Sequence, residues 1–415
     1  MVQINPERVL NDLQTLRQFG ATGTGVVRPT YTPIDLEARE WLAGRLRAAG
    51  LEPTIDGVGN VLGRSPNSGP RLLLGSHSDT QPTGGWLDGV LGVIYGLEAA
   101  RALREDAATR HLAVDVVSWA DEESTFLSFL GSRSFCGFLS EEEVQNAVSR
   151  DGRVLVEALR AGGLLERPRL SFTPGQYRGY VEAHIEQGPY LEMTGKRIGV
   201  VTSIVGSRGF QIRFMGQQNH AGTTPMTLRR DAGMRLIQFA HELNIRTAAL
   251  ASDITVWTIG RVSFEPGASS IVPGKATMAW QFRDQDEAKL DEIEAMTKAL
   301  IAEFDQPDKV AIHYDMHPNP PLAAKMDPAL QEHLAQAAAQ HCPADWVRMP
   351  SGAAHDAQVL ARRMPSAMLF IPSINGISHS FDEDSHEADI VLGSQVMATA
   401  AASILLEAAA PTVSG

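Results

Sequence analysis

Leu72-Leu73-Leu74-Gly75-Ser76-His77-Ser78-Asp79-Thr80 is an apolar run that ends in His-x-Asp, and after Gly84-Gly85-Trp86-Leu87 comes Asp88-Gly89. Such a run reads as a buried strand that delivers an imidazole and a carboxylate to a sheet edge, with a second carboxylate in the next loop. Metal sites often begin in this way. A plain core strand with polar residues at its mouth has the same local pattern, so the other strand ends must decide.

The 415 residues suffice for two domains, or for one large domain carrying an insertion. Hydrophobic residues make up 43% and charged residues 20%, the range of globular chains that build a large core. The net charge of 36 − 49 = −13 argues against a basic nucleic-acid face and against binding to anionic membrane. Cys136 and Cys342 are far apart and in no metal-type spacing, which fits a reducing compartment without structural disulfides. The first residues have no charged-then-apolar leader, and no window is read as the run of about 18 apolar residues that a membrane span needs. The expectation is a soluble, cytoplasmic protein.

Working outward from the opening strand, helical spacing of apolar residues predicts helices over 6–19 and 35–49. The loop at Asp88 runs into 90–100, a helix whose glycines permit close packing on a sheet. Residues 113–120 are β-branched and apolar, should lie beside the first strand in a mainly parallel sheet, and end in Asp121-Glu122-Glu123. Acids at the carboxyl end of a buried strand stand where α/β folds place chemistry. Another strand, 179–185, ends in His184-Ile185-Glu186-Gln187-Gly188-Pro189. From about residue 206 the order changes to strand 209–215, helix 226–245, strands 253–264 and 276–283, helix 286–304 and strand 309–316. That βαββαβ order is the one of a ferredoxin-like unit, and it predicts an inserted domain. The chain then returns with helix 327–340, a small-residue loop at 351–357 opening a helix, a strand over 367–372, Ser378-His379-Ser380, and a last helix over 385–408.

The polar residues at strand ends are His77, Asp88, Glu122, Glu123, His184 and His379. Two or three histidines with two carboxylates form the ligand set of a zinc or manganese centre, and a carboxylate able to bridge points to two ions. One carboxylate then remains as general base. Glu122 and Glu123 are adjacent on extended chain, so their side chains diverge, one towards metal and the other towards water. This is a hydrolase in outline.

The motifs also carry a resemblance. The strings Gly75-Ser76-His77-Ser78-Asp79-Thr80, Gly84-Gly85-Trp86-Leu87-Asp88-Gly89, Asp121-Glu122-Glu123, Glu182-Ala183-His184-Ile185-Glu186-Gln187-Gly188-Pro189, Asn219-His220-Ala221-Gly222-Thr223-Thr224-Pro225-Met226, Ser351-Gly352-Ala353-Ala354-His355-Asp356-Ala357 and Ser378-His379-Ser380 resemble the M20-type metallopeptidase superfamily. Within it they are similar to the hydantoinase/carbamoylase amidases, which include N-carbamoyl-L-amino-acid hydrolases, allantoate amidohydrolases and β-ureidopropionases. The resemblance implies two divalent ions per subunit, one on His77 and His184, the other on Glu123 and His379, with Asp88 bridging. Zn, Mn, Co and Ni all suit such ligands. Glu122 would be the general base and Asp79 the partner that orients His77. His220 would reach the active site of a second subunit and stabilise the oxyanion, which requires a homodimer. Arg283 would grip a substrate carboxylate, and Gln187, Ser270, Gly352 and His355 would line the same pocket.

This chain departs from the family pattern at four places. Ser270 stands where the family usually has asparagine, Gln281 where an aspartate commonly precedes the arginine, Ser124 where a glycine is usual, and Phe381 where a proline follows the His-Ser pair. No expected ligand is lost, so these changes bear on the substrate. The fold expected is α/β: a mainly parallel-sheet di-metal catalytic domain over 1–206 and 323–415, with an inserted ferredoxin-like lid and dimerisation domain over 207–322. The function expected is hydrolysis of a linear C–N amide in a small molecule, first the carbamoyl group of an N-carbamoyl-L-amino acid. Allantoate or another ureido acid, or an N-acyl amino acid, is the alternative.

Overall fold

Arg71–His77 is the middle of a nine-stranded sheet, hydrogen-bonded in parallel to Ala113–Trp119 on one side and to Gly179–Ile185 on the other. Six of its seven residues are buried, which explains why a parallel strand covered on both faces reads as a continuous apolar run. The computed structural model describes residues 2–316 and 320–409; Met1, 317–319 and 410–415, which the expected domain ranges include, lie outside them.

The chain divides into two units, Met1–Ser203 with Lys325–Gly415, and Ile204–Ala324. In the first unit Ser366–Ile371 extends the parallel set beyond Gly179–Ile185, while Val61–Arg64 and Glu52–Ile55 add antiparallel strands at the other side. Parallel register sets His77 beside Trp119, and His184 beside Phe370, so the carboxyl ends of these strands open on one edge. Val90–Glu105 lies against the sheet, and a Cβ at Gly92 would come within 2.3 Å of the Ala183 carbonyl, so only glycine allows the helix that close. Pro6–Gln18 starts where Asn5 caps it by accepting from the Arg8 amide at 3.1 Å.

Glu387–Ala409 is the helix expected at the end of the chain. By length and composition this helix is apolar enough to cross a membrane, because an alanine-rich run sums to high hydropathy although few of its residues are large. Most of it, 72% of the apolar window, is buried in the unit, where it packs on Val90–Glu105, Pro328–His341 and Ser366–Ile371. It is a core helix.

The main elements of the second unit run βαββαβ, with a four-stranded antiparallel sheet in the order Val256–Glu265, Lys275–Asp284, Gly206–Met215, Ala311–Met316, and a separate two-stranded ribbon pairs Asn219–His220 with Ile271–Val272. Burial alternates along Lys275–Asp284. Met278, Trp280 and Phe282 face a core shared with Leu236, Phe239, Leu290 and Ile293 of the two helices, which leaves Gln281 and Arg283 on the opposite face. The expected helix 226–245 lies instead at Ala232–Leu250. Asp231 accepts from the Met234 amide at 3.0 Å and begins the helix there, and Met226–Leu228 is a separate turn. Several elements lie outside those expected from the sequence, among them the strand Ile198–Ile204 and the short helices between 130 and 161.

Candidate metal centre

Asp88 is the hub of the strand ends. It is buried, and its two oxygens face different partners: Oδ1 lies 3.0 Å from His184 Nε2 and 3.4 Å from His77 Nε2, while Oδ2 lies 3.4 Å from His379 Nε2. Ligand atoms of His77, Asp88 and His184 all fall within 4.8 Å of one another, and so do those of Asp88, Glu123 and His379. Gly89, next in the chain, has φ 69°, and a Cβ there would sit 2.4 Å from the His77 ring. Only glycine fits this turn.

The second ring nitrogens are tied to main chain. His184 Nδ1 is 2.9 Å from the Ile185 carbonyl, which holds the proton there and leaves Nε2 as an acceptor, reached by the Gly89 amide at 3.1 Å. His77 Nδ1 is 3.2 Å from the Asp79 carbonyl oxygen and 3.6 Å from its carboxylate. The Asp79 carboxylate instead accepts from the Glu122 amide at 3.4 Å and the Glu123 amide at 3.1 Å. Asp79 thus serves the two glutamates as directly as it serves the ring. Glu122 places Oε2 3.6 Å from His77 Nε2, and Glu123 accepts from Gln81 through Oε2 at 2.6 Å. Asp121, the first of the three acids, turns away and accepts from the amides of Thr125, Phe126 and Leu127. Ser124 takes φ 60°, the left-handed region in which glycine is unstrained.

Charge in the cluster is unbalanced. Burial pushes Asp88 up, but the imidazoles of His184, His379 and His77 around it outweigh this and hold its carboxyl well below the usual range. Burial raises Glu122 well above its ordinary value, against the pull of His77, and burial with the charge of Asp88 pushes Glu123 up to about 7. Burial disfavours a charged His77, yet Glu122, Asp79 and Asp88 together raise it well above the ordinary value. Glu123 Oε1 is buried without a hydrogen-bond partner among the described residues. A set of imidazole Nε2 atoms and crowded carboxylates with an orphaned acceptor fits hard or borderline divalent cations.

The remaining residues singled out from sequence fall in several places. Gln187, at φ 58°, donates to Asp88 Oδ2 at 3.1 Å and lies 3.2 Å from His379 Nε2, so its amide borders the second ligand group. His355 is 1% exposed and packs edge-on against the His184 ring at 4.6 Å, with Nε2 3.1 Å from Ser351 Oγ, so it backs that ring and does not line an open pocket. Gly352 is exposed in the same loop. His220, Ser270 and Arg283 belong to the second unit. His220 is exposed, and its Nδ1 accepts from the Gly222 and Thr223 amides at 3.0 and 3.1 Å, which places the proton on Nε2. The Ser270 carbonyl accepts from the Ala221 amide at 2.9 Å, so Ser270 supports the His220 loop through its main chain while its side chain is exposed. Arg283 is half-buried on the face of the sheet away from the helices. Sequence reasoning passed over Gln81 and Glu383, both polar residues within a few positions of a singled-out motif; proximity to those motifs was the available signal.

Comparison with known proteins gives a consistent result. Residues 73–403 match the profile of peptidase family M20/M25/M40. The chain is 34% identical to an N-carbamoyl-L-amino-acid amidohydrolase of Paenarthrobacter aurescens, covering 94% of this chain and 96% of that one. It is 35% identical to an allantoate amidohydrolase of Escherichia coli (strain K12), covering 93% and 95%. A solved amidase of the hydantoinase/carbamoylase family from Burkholderia phymatum superposes with a TM-score of 0.91 at 52% identity, covering 98% and 99%. With a matched profile over most of its length and relatives of this identity along nearly all of it, the chain belongs to peptidase family M20/M25/M40, on the branch of the hydantoinase/carbamoylase amidases.

Proposed function

We propose that this protein is a dinuclear metal-dependent amidohydrolase that removes the carbamoyl group of an N-carbamoyl-L-amino acid, releasing the amino acid, carbon dioxide and ammonia. The observation that carries the reading is Asp88, whose two oxygens each face one ligand group, with the Glu122 carboxylate beside them. His77 and His184 would hold one ion, Glu123 and His379 the other, with Asp88 shared; Zn, Mn, Co and Ni all suit these ligands. When bound, the ions would polarise the substrate carbonyl and lower the pKa of water at the site.

The chain's own groups do the rest. Glu122, whose carboxylate stands beside the first ligand group, takes the proton from water and delivers it to the leaving nitrogen. His220, with its proton on Nε2, donates to the developing oxyanion. Arg283 would offer a planar fork to the substrate carboxylate and Ser270 would support the His220 loop, while Gln187 and Gly352 would border the ligand groups and the buried His355 would back His184. We further read Ile204–Ala324 as a ferredoxin-like lid and dimerisation domain that brings His220 to the second subunit. Supporting this, Met234, Ile237 and Ile245 are about half exposed along one stripe of Ala232–Leu250, and Val256 and Phe264 are exposed on the edge strand. The buried, unpaired Cys136 and Cys342 suit a cytoplasmic setting.

Allantoate is the second reading, favoured by the Escherichia coli relative; an N-acyl amino acid is the third. Ammonia release is measured on N-carbamoyl-L-amino acids, their D forms and allantoate, and release of the free amino acid on N-acetyl amino acids, which yield acetate and no ammonia. The highest kcat/KM on an N-carbamoyl-L-amino acid supports the proposal, and turnover confined to allantoate or to acyl substrates overturns it.

A further inference from the structure

The loop that carries Asp88 and the loop that carries His379 come from distant parts of the chain, yet both must be placed within a fraction of an ångström for one carboxylate to face two ligand groups. One buried side chain joins them. Glu383 is 1% exposed; its Oε1 accepts from the Asp88 amide at 3.1 Å and the Leu87 amide at 3.3 Å, and its Oε2 accepts from Ser378 Oγ at 2.8 Å. Gly85 makes room for it, since a Cβ there would lie 1.9 Å from Glu383 Oε1. Next to it, Asp384 accepts from Trp86 Nε1 at 3.2 Å, a second stitch between the same loops. A buried carboxylate is costly unless its oxygens are met by donors, and here the donors are the main chain of Asp88 and the neighbour of His379.

We propose that Glu383 is a positioning residue of the metal centre: its carboxylate, spanning from the Asp88 and Leu87 amides to Ser378, sets the orientation of the shared carboxylate relative to His379. The inference rests on the di-metal reading above. Both Asp88 oxygens turn with its main chain, so loosening this tie disturbs the second ligand group most, because its other members, Glu123 and the exposed His379, are held by fewer contacts.

The test is zinc binding by competition with a chelating dye, with stoichiometry from elemental analysis and folding followed by circular dichroism. In Glu383→Ala the weaker of the two zinc sites is expected to lose about 10- to 100-fold in affinity, the range typical of groups that orient ligands. Glu383→Gln, which keeps one acceptor oxygen for both amides, is expected to recover most of that loss, and Asp382→Ala, at an exposed neighbour, to bind as the unaltered protein does. Glu383→Ala binding both ions within about twofold of the unaltered protein overturns the proposal. Should Glu383→Ala not fold, Glu383→Asp decides: one methylene shorter, it cannot span the two loops, and normal binding of both ions by it is equally fatal. An unaltered protein that takes up no divalent ion refutes the di-metal reading itself, and that result is visible without any variant.

Discussion

Asp79→Asn separates two tasks that one buried carboxylate could perform. The His77 ring nitrogen is closer to the Asp79 main-chain oxygen, at 3.2 Å, than to its carboxylate, at 3.6 Å, whereas the carboxylate accepts from the Glu122 and Glu123 amides. Asparagine preserves the shape and one acceptor oxygen, but its NH2 group cannot accept. One of the two amides is left unpaired in a part-buried place beside the fully buried Asp79, at a cost of up to roughly 1–3 kcal/mol. For a domain of this size that corresponds to a fall in Tm of roughly 2–12 °C in the metal-free protein. The same amides set the position of the paired glutamates, and a shift of about 1 Å in a catalytic group costs on the order of 100-fold in rate. Metal binding, in contrast, should persist, because the main-chain carbonyl keeps the proton on His77 Nδ1 and leaves Nε2 free. Calorimetry, zinc titration and kcat on an N-carbamoyl-L-amino acid read the three quantities separately. An Asp79→Asn protein that keeps its Tm and loses zinc refutes the reasoning, since the carboxylate would then serve the ring and not the glutamates.

Further outcomes follow from the same geometry. Glu122→Gln should lower kcat by about 10²- to 10⁴-fold with zinc content unchanged; loss of zinc in this variant would make Glu122 a ligand. In Gly89→Ala the added Cβ collides with the His77 ring, so zinc at that group should fall with activity, and full zinc content would show that the turn tolerates a side chain. His220→Ala should cost about 10²- to 10³-fold in kcat, and mixing it with Glu122→Gln should restore part of the activity if the histidine acts across subunits; no recovery in mixed dimers counts against action in trans. His341, on Thr399 Oγ1 at 2.9 Å, has its pKa lowered by burial. Its contribution to stability is therefore whole above about pH 6.5, the unfolded value, and is lost as pH falls through the lower folded value. His341→Gln should accordingly flatten the decline of Tm between about pH 7 and 5, and an unchanged slope would assign the decline to other groups.

Much of the fold was legible because burial on both faces leaves a simple trace. Leu72–Leu74 and 113–119 read as strands since parallel neighbours force them to be apolar throughout, and the strand expected at 276–283 has the alternating burial of a sheet with one covered face. Helix boundaries were less legible. The start of Ala232–Leu250 depended on which of several polar residues caps it, and the choice of Asp231 is made by the turn at Met226–Leu228. Glu387–Ala409 was legible as a helix, but what covers its apolar window is decided only by the fold, because the sequence records hydropathy and not its cover.

Residue types and their order along the chain determined, without any coordinates, which side chains are chemically fit to hold metal and move protons: His77, Asp88, Glu122, Glu123, His184 and His379 all stand where apolar strands run out. What the sequence could not contain is angle and distance between residues hundreds of positions apart. Only the tertiary structure decided that the two Asp88 oxygens look in different directions, that Asp79 turns its carboxylate to the glutamate amides, and that Glu383 ties one ligand loop to another. The physical reason is that strand ends are delivered to one sheet edge by local pattern and parallel pairing. The last ångström of their alignment comes instead from hydrogen bonds between loops, which leave no periodic mark in the sequence.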